Sequence, residues 1–133
     1  MVERKSVGYG VSWEETYGYS RAVRVGDRIY VSGTTATGPD GLVAPGDAAG
    51  QARYALDKIE KAITTLGGTL GDVVRTRIFV ARIDDWKEVG AVHGERFGKI
   101  RPANTLVRAD LIGDKYLVEI EAEAVVGSAS ADP

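Results

Sequence analysis

The run "LVEIEAEAVV", residues 117–126, constrains the fold more than any other stretch. Val118, Ile120, Ala122 and Ala124 alternate with Glu119, Glu121 and Glu123, and a period of two sends the two sets to opposite faces of a strand. One face therefore belongs in a core, while three like charges share the other. Like charges along one strand are destabilising unless something nearby compensates them. The segment "DVVRTRIFVARI", residues 72–83, has the same design. Val74, Thr76, Ile78 and Val80 point one way, and Arg75, Arg77 and Phe79 the other. Tyr30 or Val31, depending on register, joins the charged face. That face is either solvated sheet or an interface between subunits, and its mixed charges favour the interface.

Helical periodicity supplies the other layer. Ala52, Ala55, Leu56, Ile59, Ile63 and Leu66 recur at spacings of three and four, which predicts one apolar stripe. Asp47 is the expected N-cap and Gly67-Gly68 the left-handed stop. A second helix, capped by Asp84 or Asp85 and ending near Gly98, is predicted to carry Trp86, Val89, His93 and Phe97 on one face. Before the first helix, "YSRAVRVGDRIYVSG" reads as two strands turning at Gly26-Asp27. The loop "GTTATGPDGLVAPG" follows it. After Arg101-Pro102 come two more strands, hinged at Gly113-Asp114. The expected order is strand, strand, helix, strand, helix, strand, strand. Two helices are too few to cover both faces of such a sheet, so they belong on one side.

With 133 residues the chain is read as one domain, 1–133, whose tail is expected to fray from about residue 128. Its 17 basic and 19 acidic residues leave a formal net charge of -2 with no basic run, which argues against nucleic acid and membrane surfaces as partners. The absence of cysteine and the single histidine argue against a metal site and a thiol nucleophile. No cofactor is expected. No segment resembles a signal peptide or reaches the length of a membrane span, so a cytoplasmic protein is expected.

Several features in this order resemble the reactive intermediate deaminase (RidA, or YjgF-type) family: the strand ending "YVSG", the helix "QARYALDKIEKAI", then "GDVVRTRIFV", "RPANTLV" and "VEIEAEAVV". The resemblance spans Tyr19 to Val126. It implies a chorismate-mutase-like α+β fold, a homotrimer and small-molecule ligands in clefts between subunits. In the archetypal branch it implies hydrolysis of enamines and imines to 2-keto acids and ammonia. An older endoribonuclease label for the family fits this acidic chain poorly.

The archetypal motif reads Pro-Ala-Arg-Ser/Thr, and its arginine grips the substrate carboxylate bidentately. Here the motif reads Pro102-Ala103-Asn104-Thr105, and an amide cannot neutralise a buried carboxylate. Leu106 stands where many members have a cysteine, and Gly90 where they have an asparagine. The cleft is thus expected to be less suited to anions. The resemblance leaves Tyr19, Ser32, Gly33, Asn104 and Leu106 as substrate-binding residues. It makes Glu121 the carboxylate that orients water and moves a proton. Arg101 and Arg108 are read as exposed or interface residues, and His93 as structural. The expected activity is hydrolysis of a C=N or enamine compound other than a simple 2-imino acid. The alternatives are a trimeric binding or sensing protein without chemistry and, remotely, a ribonuclease.

Overall fold

The computed structural model of the chain describes residues 2–8, 10 and 12–129. Strands β1 (Arg4–Val7), β2 (Ala22–Val25) and β3 (Arg28–Thr34) form a meander, with a short helix α1 (Ser12–Tyr17) between the first two. A small hairpin, β4 (Thr37–Gly38) and β5 (Gly41–Leu42), leads into α2 (Ala48–Thr65). Then follow β6 (Val73–Val80), α3 (Trp86–Phe97), β7 (Ala103–Arg108) and β8 (Val118–Val125). The main sheet runs β1-β2-β3-β8-β6-β7. Only β6 and β7 pair in parallel, joined through α3; the other pairs are antiparallel. The strand with the clearest alternation, β8, is thus central, and β7 is an edge.

The α2 stripe packs on β3 and β8 and beside α3, and all six predicted stripe residues are buried. At its start Asp47 Oδ1 accepts from the Gly50 N–H at 2.9 Å. At its end Gly67 takes φ 91, and the N–H groups of Gly67 and Gly68 reach the carbonyls of Thr64 and Ile63. This is a 6→1, 5→2 closure that only a left-handed residue permits. From the sheet, Ile29, Val31, Ile78, Val80, Val118, Ile120, Ala122 and Ala124 complete the core.

Five expectations are corrected. The N-terminal segment contributes β1 and α1, which the predicted order lacked; β1 is an edge strand with no buried residue, and α1 buries none either. Val74 is 41% exposed and Val73 takes its core position, because a register shift against β8 lies between Val73 and Arg75. Trp86 is 49% exposed, and Val92 joins Val89 and Phe97 in the core instead. Asp85 is the N-cap residue, but its carboxylate pairs with Arg82 at 3.0 Å and not with the helix N–H groups. At the C-terminus Ser128 and Ala129 are hydrogen-bonded to Asp72, so the chain is tied down past the expected point of fraying. The rest of the predicted tail, 130–133, lies outside the described residues.

Arg101 has φ 56, although the residue before a proline is expected to be extended. Its N–H closes the end of α3 on the Phe97 carbonyl at 2.8 Å, so it occupies the left-handed position that glycine normally takes. Its side chain is exposed. Arg101→Gly is expected to raise stability by about 0.5–1 kcal/mol, the relief of left-handed strain less the added chain entropy, as read by denaturant unfolding.

Candidate functional site

The three glutamates of β8 face three different residues across the register with β6. Glu123 lies opposite Arg75, Glu121 opposite Arg77, and Glu119 opposite Phe79. Glu121 Oε1 accepts from Arg77 Nη1 at 3.0 Å, an ion pair about one-third exposed. This interleaving answers the like-charge problem posed by the sequence, except at Glu119. There, burial pushes the carboxyl above its ordinary 4.5; the charge of Arg21 opposes the shift and that of Glu121 adds to it.

Glu119 is held by a defect in the neighbouring strand. Val31 pairs with Ala122 and Thr34 with Ile120, so Ser32 and Gly33 together oppose one residue of β8 and form a bulge. The Glu119 carboxylate packs directly on Gly33, where a Cβ would collide with it. The Gly33 carbonyl accepts from Arg21 Nη1 at 3.0 Å, and Arg21 Nε lies 3.6 Å from Glu14 Oε2. The guanidinium also stacks over the Tyr19 ring, 5.5 Å from its centroid. Ser32 Oγ donates to the Ser20 carbonyl at 2.7 Å. Tyr19, Ser32 and Gly33 therefore lie together, with Glu14, Arg21 and Glu119 as charged members.

Asn104 and Leu106 lie elsewhere. In β7 they pair with Thr76 and Ile78, which belong to the core face. Asn104 Nδ2 donates to Thr76 Oγ1 at 2.9 Å, and Thr76 Oγ1 lies 2.8 Å from His93 Nε2 on α3. The His93 ring stacks on Phe97 with centroids 4.6 Å apart, and burial lowers its pKa from 6.5. Gly90, one turn earlier, has open space beside it. Arg108 shares the Asn104 face and is exposed. β3 and β7 are separated by β8 and β6, three strand spacings or roughly 14 Å, and the two groups use opposite faces of the sheet. A groove of about 380 Å³ near Val74, Lys99 and Arg101 includes no predicted site residue. The predicted site residues thus fall into two groups that the chain does not bring together.

Against known proteins, the family described as Endoribonuclease L-PSP matches residues 12–126. The chain belongs to this family. An uncharacterized protein of Streptomyces coelicolor is 39% identical over 125 residues, covering 93% of each chain. A RutC family protein of Pyrococcus abyssi is 30% identical over 107 residues, covering 80% of this chain and 84% of the relative. Among solved structures, a Mycobacterium tuberculosis member of the YjgF/YER057c/UK114 family superposes with TM-score 0.85 at 49% identity, covering 93% of this chain and 100% of that one. The YjgF gene product of Escherichia coli gives TM-score 0.76 at 28% identity, covering 90% and 93%. The fold is therefore the chorismate-mutase-like α+β fold of the YjgF-type proteins. Among the described residues no helix is long and apolar enough to cross a membrane.

Arg21, Thr76 and Glu119 were not singled out by sequence reasoning. Glu119 had a signal, since it shares the alternation with Glu121, but a period of two cannot tell neighbouring members of one face apart. Arg21 acquires its role from the bulge across the hairpin, which no local pattern announces.

Proposed function

We propose that this YjgF-type chain hydrolyses the C=N bond of small imines or their enamine tautomers, in clefts where the bulge half-site of one copy meets β7 of another within a homotrimer. The observation that carries this reading is Glu119: the one β8 glutamate with no arginine across from it, packed on Gly33 and holding its proton more readily than an exposed carboxylate. Such a group is suited to take a proton from water as its oxygen bonds to the imine carbon, and to return it to the departing nitrogen. The C–N bond then breaks, one water is consumed, and a carbonyl compound and ammonia leave. A protonated C=N is already electrophilic, so holding the substrate and moving one proton suffice. Glu121, which the family resemblance favoured, is paired with Arg77 and is better suited to tuning Glu119 through its charge.

Asn104 replaces the cation that would anchor a carboxylate, so uncharged imines are the favoured substrates. The endoribonuclease description of the family gains no support from a chain with formal net charge -2 and three glutamates on its open sheet face. Ammonia release from a panel of uncharged imines, compared with 2-aminoacrylate generated in situ, tests the proposal. Turnover of the former and weak turnover of the latter are expected. Ligand-dependent thermal stabilisation without turnover would instead identify a binding protein. Light scattering is expected to give three times the 14.2 kDa chain mass. Asn104→Arg is expected to tighten pyruvate binding by about 10–100-fold, the worth of a charge-assisted pair, as read by calorimetry.

A further inference from the structure

The Asn104 side chain has two chemically different ends, and the structure commits one of them. The Thr76 carbonyl, which can only accept, lies 3.5 Å from Asn104 Nδ2. An amide oxygen turned toward it would set two acceptors against each other, so the NH2 end faces β6. The same nitrogen donates to Thr76 Oγ1. Thr76 is fully buried, its hydroxyl has one hydrogen, and Nδ2 cannot receive it. The other partner of that hydroxyl is His93 Nε2 at 2.8 Å. The hydrogen therefore goes to Nε2, which must be bare, and the imidazole proton sits on Nδ1. A proton on Nε2 would instead leave the buried hydroxyl hydrogen with no acceptor. Burial of the ring supports the neutral form.

Hydrogen bonding thus runs one way, from Asn104 to Thr76 to His93, and leaves Asn104 Oδ1 over. Among the described residues this oxygen has no hydrogen-bond partner, and the residue is exposed on an edge strand. We propose that Asn104 Oδ1 reads a hydrogen-bond donor, so that the site takes small neutral molecules bearing a carboxamide-type N–H and turns away the matching carboxylate. Thr76 and His93 are the positioning residues. This rests on the reading that ligands meet β7. A carboxamide N–H completes the chain of donors and acceptors, whereas a carboxylate opposes its oxygens to Oδ1 with no hydrogen between them. The selection comes from attraction and repulsion together.

Two measurements test this. His93 is the only histidine of the chain, so a long-range proton–nitrogen NMR spectrum of the ring shows one residue. Near neutral pH, Nδ1 is expected to be protonated and Nε2 bare; an Nε2-protonated or doubly protonated ring overturns the proposal without reference to any ligand. Calorimetry with pyruvamide and pyruvate, which differ only in this group, is expected to show at least about tenfold tighter binding of the amide. That preference is expected to vanish in Asn104→Leu, a change at an exposed position, and in Thr76→Val. Equal affinities, no detectable pyruvamide binding, or a preference that survives Asn104→Leu each overturn it. A retained preference without imine turnover would sink the hydrolase reading and leave this inference standing.

Discussion

Glu119→Gln is expected to lower kcat/KM for ammonia release from an uncharged imine by about 10²–10⁴-fold, the usual worth of a positioned proton carrier. Glutamine has the same shape and keeps the contact with Gly33, so the loss isolates proton transfer from packing. Glu121→Gln removes one side of the Arg77 pair and the like charge that raises Glu119, and is expected to cost less than about tenfold. The order of the two variants decides the assignment: a larger loss in Glu121→Gln would return the role to that residue. The sign of two pH effects follows from the direction of the shift. Burial raises the Glu119 pKa above 4.5, so a rate that needs the carboxylate is expected to climb with pH through a value above 4.5. For folding, a raised carboxyl pKa favours the native state below 4.5 and disfavours it as pH rises through the folded value. Glu119→Gln is thus expected to leave Tm at neutral pH unchanged or higher, a stability–activity opposition typical of functional groups. A lowered Tm alongside lost activity would point to a structural role instead.

Asp72→Ala is expected to be the most destabilising single change outside the apolar core, by about 3 kcal/mol, with Tm falling roughly 10 °C. Asp72 is 3% exposed and sits at the entrance to β6. Its Oδ2 accepts from Thr69 N at 2.9 Å, and its Oδ1 from Gly127 N at 3.1 Å and Ala129 N at 3.0 Å. One carboxylate thereby ties the start of β6 to the segment that leaves β8. Alanine would strip three backbone donors of their partner at once. Burial raises the Asp72 pKa, but the hydrogen bonds from Thr69, Ala129 and Gly127 outweigh it and hold the group below 3.8. For a lowered carboxyl pKa, the stabilisation is complete above 3.8 and is lost as pH falls through the folded value. In an acid titration followed by circular dichroism, wild type and Asp72→Ala are expected to converge in stability below that window. A gap that persists unchanged would show that the carboxylate charge is not what stabilises the junction.

Much of the architecture was readable because it is local. The α2 stripe, its Asp47 cap and its Gly67 stop depend on residues a few positions apart, and the hairpin at Gly26-Asp27 depends on one turn. β1 and α1 escaped because neither buries a residue, so neither leaves a hydrophobic period to detect. The same limit moved Val74 and Trp86 outward. Alternation assumes an unbroken strand, and a helix stripe assumes that the core extends to the first turn.

At the candidate site the division is sharper. The sequence by itself determined that one sheet face is apolar and the other charged, that no thiol or basic tract is present, and that an amide stands at position 104. Those are properties of residue identity and period. Only the tertiary structure decided that Glu119 faces Phe79 while Glu121 faces Arg77, that the bulge residue Gly33 lies against the Glu119 carboxylate and holds Arg21 through its carbonyl, and that Thr76 occupies the Asn104 amide nitrogen. The physical reason is register. Pairing between strands distant in the chain sets which charges are cancelled and which donors are spent, and a shift of one position would exchange them all.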